Sequence, residues 1–263
     1  MRSGDMKDNL YDCIERKDLL KQMVLSKLIA GQKDLMLGYM WWFLEPLLLT
    51  FVYWLLVSVI FERGGPNYPL FVLCGLVPYR AIAISVGQSV SSISGKFSLI
   101  GVINFPRIFL PISDVLLNHV KLLFGFMVVI VLTRFFQIYI NHNIIYLVIP
   151  YSIQVILVCG VTMITSVLGV YFRDLRNLIQ FIMRVLVYIS PVVYSLERIP
   201  DRYHDIYLLN PIAILMVTYR DVIIYGRPPD PKLLLIGMIE ALSLFFVGYI
   251  FFTNQDKKLL KFV

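Results

Sequence analysis

Apolar residues gather in this chain into runs of about 20, and that clustering dictates what it can fold into. A helix rises about 1.5 Å per residue, so such a run crosses a hydrocarbon core of about 30 Å with its backbone N–H and C=O groups bonded within the segment. The composition agrees: 59% of the 263 residues are hydrophobic and 16% are charged, against about 25% charged in soluble domains. A transmembrane barrel would instead show alternating segments of about 10 residues. The chain reads as an all-α, multi-pass membrane protein and as one transmembrane domain, 1–263.

The runs place six spans at about 42–61, 70–90, 108–132, 145–171, 178–196 and 232–252. Polar turns separate them, among them Glu62 to Asn67, Arg173 to Asn177 and Arg227 to Pro231. The first 35 residues are polar and charged, so no cleavable signal peptide is expected. Within the tail 1–40, Leu19, Leu20, Met23, Val24 and Leu28 recur at helical spacing among lysines. That pattern predicts an amphipathic helix lying on the cytoplasmic leaflet or against a partner. Tyr39, Trp41, Trp42 and Phe43 precede Glu45-Pro46 and suit an interfacial aromatic belt. Residues 91–107 read as a short helix between turns.

Segment 206–225 is long enough to span, yet three features oppose it. Asn210-Pro211 sets a helix start, with Asn as N-cap and Pro at the first helical position. Arg220-Asp221 would then fall inside that helix, and charges near the bilayer centre cost a few kcal/mol each. A seventh span would also put the lysine-rich C-terminus outside. With six spans and the N-terminus inside, the inner segments hold fifteen Lys and Arg and the outer ones six. That bias favours two cytoplasmic termini. Segment 197–230 becomes an extracytoplasmic helical hairpin dipping back beside a cavity, because non-helical backbone at membrane depth needs protein or water around it.

Catalytic patterns are missing. The three cysteines, one in the polar tail and two in apolar runs, suggest no disulfide framework. Gly95-Lys96 is not a phosphate-binding loop, since Phe97 follows and no glycine stands five residues before Gly95. Any ATP-driven function therefore needs a second protein to bind ATP and Mg. His119, His142 and His204 form no triad and no metal-ligand spacing. Asp114, Asn118 and Lys121 share one face of the third span, and Glu45, Arg80 and Glu240 are further charges in or near spans. These read as interhelical glue rather than as an ion path.

The order of motifs resembles a known family over nearly the whole chain. The motifs are Trp41-Trp42-Phe43-Leu44-Glu45-Pro46-Leu47, then Leu99-Ile100, Asn104-Phe105-Pro106-Arg107 and Leu110-Pro111. Arg173-Asp174, Ser190-Pro191-Val192-Val193-Tyr194, Leu209-Asn210-Pro211 and Tyr219-Arg220 follow. The chain looks like the transmembrane permease subunit of bacterial ABC exporters for O-antigen, capsule or teichoic acid.

The resemblance implies a homodimer in the bacterial cytoplasmic membrane with two copies of a separate ATPase, no cofactor of its own and no nucleic acid. The cargo would be a glycan on an undecaprenyl-diphosphate or similar lipid, an O-antigen by first preference. Helical segments at about 10–35 and 91–105 would dock on the ATPase, through Leu20, Met23 and Val24 and through Ser94, Lys96 and Phe97. The first and fifth spans would line the channel, which gives Tyr53, Trp54, Phe181, Tyr188 and Tyr194 as sugar-stacking rings. Pro191 should kink the fifth span, since it cannot donate to the carbonyl of Val187. Pro191, Asn210, Pro211, Tyr219 and Arg220 would belong to an outer gate. Lys33, Arg173, Arg176 and Arg184 are candidates for meeting the lipid diphosphate, the arginines because they bind phosphate bidentately. An ion-coupled carrier and a membrane-embedded glycan-lipid enzyme are the competing readings. No internal repeat supports the first, and no catalytic constellation the second.

Overall fold

The computed structural model describes residues 16–31, 37–62, 65, 67–97, 105–172 and 174–259. Among the described residues the chain is helical throughout, with no strand. The helices are α1 (Lys17–Ala30), α2 (Trp41–Trp54), α3 (Tyr68–Ser89), α4 (Phe109–Phe135), α5 (Val148–Tyr171), α6 (Leu175–Ile189), α7 (His204–Tyr207), α8 (Pro211–Ile223) and α9 (Pro231–Leu259). A 3₁₀ turn (Gly38–Met40) leads into α2 and a π segment (Leu55–Ile60) continues it.

Among the described residues, five stretches are long and apolar enough to cross a membrane: Gly38–Ile60, Tyr68–Ser89, Phe109–Phe135, His142–Tyr171 and Pro231–Asp256. They correspond to the expected spans one to four and six, and they make this a multi-pass membrane protein. The expected fifth span, 178–196, is different. Its helix, α6, has 15 residues and stops at Ile189. Ser190 is extended (φ −86°, ψ 150°), as the residue before a proline prefers to be. Pro191 therefore terminates this helix instead of kinking it, and the chain continues as a turn through Tyr194.

α3 is the hub. It touches α2, α4, α5, α6 and α8, and 72% of its most apolar window is buried, against 11% for Gly38–Ile60. A helix apolar on every side is one that neighbours surround. α5 and α9 pair at close range. A Cβ on Gly160 would meet the backbone of Leu244, and one on Gly248 would meet the backbone of Gly160. Small residues let helices approach where no hydrophobic drive between them exists.

α1 does not lie free. Val24 is buried, and Leu19, Leu20 and Met23 pack against the core. Lys27 Nζ donates to Ser113 Oγ at 2.6 Å and pairs with the Asp114 carboxylate. The apolar stripe predicted to face a membrane or partner is thus spent on α4, and the open side of α1 carries Leu25 and Ile29 instead. Ser94–Lys96 form a 3₁₀ turn and Phe97 is helical; residues 98–104 of the short helix expected over 91–107 lie outside the described residues.

Candidate functional site

The sequence stretch after α6 builds a stapled turn. At its centre is Arg220, 3% exposed on α8. Its Nη1 donates to the carbonyl of Pro191 at 2.5 Å and to that of Tyr194 at 3.3 Å, and its Nη2 donates to the carbonyl of Val192. Its guanidinium carbon lies 3.7 Å from the centroid of the Phe71 ring on α3. One arginine thus collects the carbonyls that the helix break leaves without partners, and a planar fork of five donors suits that task. Burial lowers its pKa to about 10, which keeps it charged at neutral pH. Gly75 makes room, since a Cβ there would land on the Val192 carbonyl and on Nη2.

Asn210 ties the same turn to the start of α8. Its Oδ1 accepts from the N–H of Ile212 at 3.0 Å, and its Nδ2 donates to Ser190 Oγ at 2.9 Å. Pro211 follows at the first helical position, where no N–H is needed. Tyr68 adds a hydroxyl donated to the Val193 carbonyl at 3.0 Å. The Tyr194 hydroxyl turns back and donates to the carbonyls of Tyr188 and Ile189 at 3.0 and 2.9 Å, closing the end of α6. Asp221 pairs with Arg227 at 2.6 Å; burial nonetheless raises its pKa, with Arg227 acting against that.

Of the five residues expected at a gate, four meet around this turn: Pro191, Asn210, Pro211 and Arg220. Tyr219 points elsewhere. It is fully buried, its hydroxyl donates to Gln154 Oε1 at 2.9 Å, and its ring lies 5.1 Å from that of Phe126. Gln154 in turn donates to the carbonyl of Pro78 at 3.2 Å.

The five candidate sugar-stacking rings do not form one wall. The hydroxyls of Tyr53 and Tyr188 face each other, and Tyr194 reaches the backbone beside Tyr188. Phe181 stands exposed on the face of α6 that also carries Tyr188, seven residues on. Trp54 contacts Phe51 at 5.8 Å instead.

A groove of about 540 Å³ runs between α3 and α6. Arg176, Gln180 and Arg184 line it at i, i+4 and i+8, with Tyr79, Gly87 and Gln88 opposite. The Tyr79 hydroxyl donates to the Met183 carbonyl, which holds the two helices together beside it. Two of the four cations expected to meet a lipid diphosphate therefore share one groove. Lys33 and Arg173 lie outside the described residues. A second pocket of about 400 Å³ opens beside the stapled turn, lined by Tyr68, Phe71, Tyr194, Glu197, Arg198 and Tyr225 among others.

The residues expected to couple to an ATPase also sort themselves. Leu20, Met23 and Val24 face the chain's own core. Ser94, Lys96 and Phe97 sit near the end of α1, with Lys96 close enough to Lys27 to act on it. Burial lowers the pKa of Lys27, while the Asp114 carboxylate raises it. Sequence reasoning missed Lys27, Phe71, Gly75 and Gln154. A lysine inside an apolar stripe and a glutamine inside a span were the available signals for the first and last.

Comparison with known proteins gives consistent relatives. The chain is 28% identical over 244 residues to the O-antigen export system permease protein RfbA of Myxococcus xanthus, across 92% of this chain and 94% of that one. It is 29% identical over 210 residues to a protein of the same name from Klebsiella pneumoniae, across 80% and 81%. The polysialic acid transport protein KpsM of Escherichia coli matches at 25% over 230 residues, across 85% and 88%. No family model matches the chain. The resemblance to polysaccharide-export permeases drawn from the motifs holds across most of the sequence.

Proposed function

We propose that this chain is the channel-forming permease subunit of an ATP-driven exporter that moves a lipid-linked polysaccharide across the bacterial cytoplasmic membrane. An O-antigen is the first candidate cargo, with capsule or teichoic acid behind it. Hydrolysis belongs to a separate ATPase, and two copies of each subunit make the assembly. The chain itself is a transporter component, not an enzyme. The observation that carries this reading is the groove between α3 and α6. It places Arg176 and Arg184 with Gln180 on one helix face, and relatives named for polysaccharide export match along nearly the whole chain.

Arginine forks bind phosphate oxygens in pairs, and a face that polar is tolerated inside a membrane only beside protein or water. In this arrangement α6 and the stapled turn together form the fifth of six spans. Both termini are cytoplasmic, and 197–230 folds back from the outer surface with α8 as a gate helix.

Arg176→Gln and Arg184→Gln are expected to cut export of lipid-linked glycan at least about tenfold without lowering the amount of protein in the membrane. Normal export in both variants would sink the assignment of the groove. Loss of transport on inactivating a partner ATPase, and not on collapsing the ion gradient, separates this mechanism from an ion-coupled carrier.

A further inference from the structure

A further polar cavity lies between α2, α3 and α4, and Ile84 of α3 separates it from the groove of the proposed transport site, lining both. It holds about 110 Å³, well above the roughly 10–15 Å³ that admits one water. Its charged lining is Glu45, Arg80 and Lys121, with Asn118 and Trp42 beside them. Arg80 Nη2 pairs with Glu45. Lys121 Nζ sits 5.5 Å from the centroid of the Trp42 ring.

Two polar atoms in this lining have no hydrogen-bond partner among the described residues. Arg80 Nη1 is buried with nothing to donate to. Asn118 is 2% exposed and gives its amide N–H groups to Ser85 at 3.2 Å and Gln88 at 3.0 Å, which leaves its Oδ1 without a donor. Charge adds a third requirement. Two cations face one carboxylate, so the cavity carries an excess of one positive charge.

A ligand that answers all three needs is a monoanion with oxygen acceptors for Arg80 and Lys121 and a hydroxyl for Asn118. A phosphodiester bearing a hydroxylated head has this chemistry. Position agrees with a lipid source. Trp42 and Tyr39, rings 4.9 Å apart, stand at the start of the Gly38–Ile60 span, and aromatic belts sit at headgroup level. Half-exposed Glu45 marks the opening toward the surroundings. Basic pockets between transmembrane helices are known to hold anionic headgroups.

We infer that the cavity between α2, α3 and α4 is a binding site for the phosphate headgroup of an anionic phospholipid of the phosphatidylglycerol type. The phosphate oxygens accept from Arg80 Nη1 and Lys121, and a glycerol hydroxyl donates to Asn118. Such a lipid fills a gap between the first three spans and fixes their packing. The inference does not rest on the transport assignment.

The test uses the purified full-length chain in neutral detergent, with thermal unfolding and native mass spectrometry as readouts. Phosphatidylglycerol, phosphatidylcholine and inorganic phosphate are added in separate arms. The expected result is a rise of at least about 5 °C with phosphatidylglycerol near saturation and one retained lipid per chain. Phosphatidylcholine has little effect. Lys121→Gln loses most of the shift and the retained lipid, and Lys121→Arg keeps both.

Equal stabilisation by both lipids, or an undiminished response in Lys121→Gln, overturns the site. An equal response to inorganic phosphate overturns the headgroup assignment. Should Lys121→Gln fail to fold, the lipid selectivity of the unaltered chain still decides.

Discussion

Replacing Arg220 with methionine isolates what the stapled turn is worth. Methionine keeps an apolar stem of similar reach and removes every donor. Three carbonyls then lose their partner: Pro191 at 2.5 Å, Tyr194 at 3.3 Å, and Val192. A buried acceptor left unsatisfied costs about 1–3 kcal/mol, so the three together lose about 3–9 kcal/mol. The contact with Phe71 at 3.7 Å adds about 2 kcal/mol. Against this, the variant no longer buries a guanidinium, an ion whose desolvation costs several kcal/mol and whose Nε has no partner among the described residues. The net loss comes to about 2–5 kcal/mol. At about 2–4 °C per kcal/mol for a chain of this size, unfolding of the purified protein should fall by about 10 °C. Protease cleavage should appear within 190–195. Arg220→Lys should fall between the two, because a point donor cannot reach three diverging carbonyls. A methionine variant that melts within about 2 °C of the parent, with no new cleavage, would refute the view that this residue holds the turn.

Two other substitutions probe neighbouring parts of the same logic. Asn210→Ala removes both the cap on Ile212 and the bond to Ser190. It should cost about 1–2 kcal/mol, with faster amide exchange confined to the first turn of α8; exchange spread evenly over the chain would contradict that. Lys27→Met strands the Asp114 carboxylate and should release α1 from α4, raising protease cleavage within 17–30. The exchange Lys27→Asp with Asp114→Lys should reverse much of that release, and a swap no better than the single change would show that the ion pair does not hold α1.

Long features of the fold were legible in the sequence, and short ones were not. Four of the five long apolar helices begin and end within a few residues of their runs, because hydropathy over about 20 residues averages away local detail. α9 runs on past its apolar stretch through Asp256. The start of α8 was legible for another reason, since Asn210-Pro211 is a local signal complete in two residues. α6 was misjudged at its end. Its apolar run continues through Val192-Val193, but Pro191 forces Ser190 to extend, and the resulting turn is held from far along the chain, by Arg220, Asn210 and Tyr68. No window along the sequence contains that partnership. The helix α1 was legible in its apolar stripe, but the surface that receives the stripe was not, nor was the pairing of Lys27 with Ser113 and Asp114, 86 and 87 residues away.

The exposed faces extend the argument about the channel. α6 presents Leu178, Phe181 and Ile182 alongside Arg176, Gln180 and Arg184, all on a helix of 15 residues. Lipid would accept the first set and reject the second. Gly38–Ile60 leaves Leu47, Leu48, Phe51, Val52 and Val59 exposed, and the hydroxyl of its Tyr53 faces Tyr188 of α6. One copy therefore offers an apolar span and a half-polar helix next to each other, and among the described residues α3 lines one wall of the polar groove and leaves it open. On the proposed function, a second copy supplies the enclosure. Two such surfaces related by a twofold axis put polar groove against polar groove and leave the apolar span to face its mate or the lipid. Cross-linking tests this directly. Paired cysteines at positions 51 and 182 should couple between copies in the membrane, whereas cysteines at 131 and 247, on α4 and α9, should not. Coupling only through 131 and 247 would place the dimer axis on the other side of the bundle and remove α6 from the channel wall.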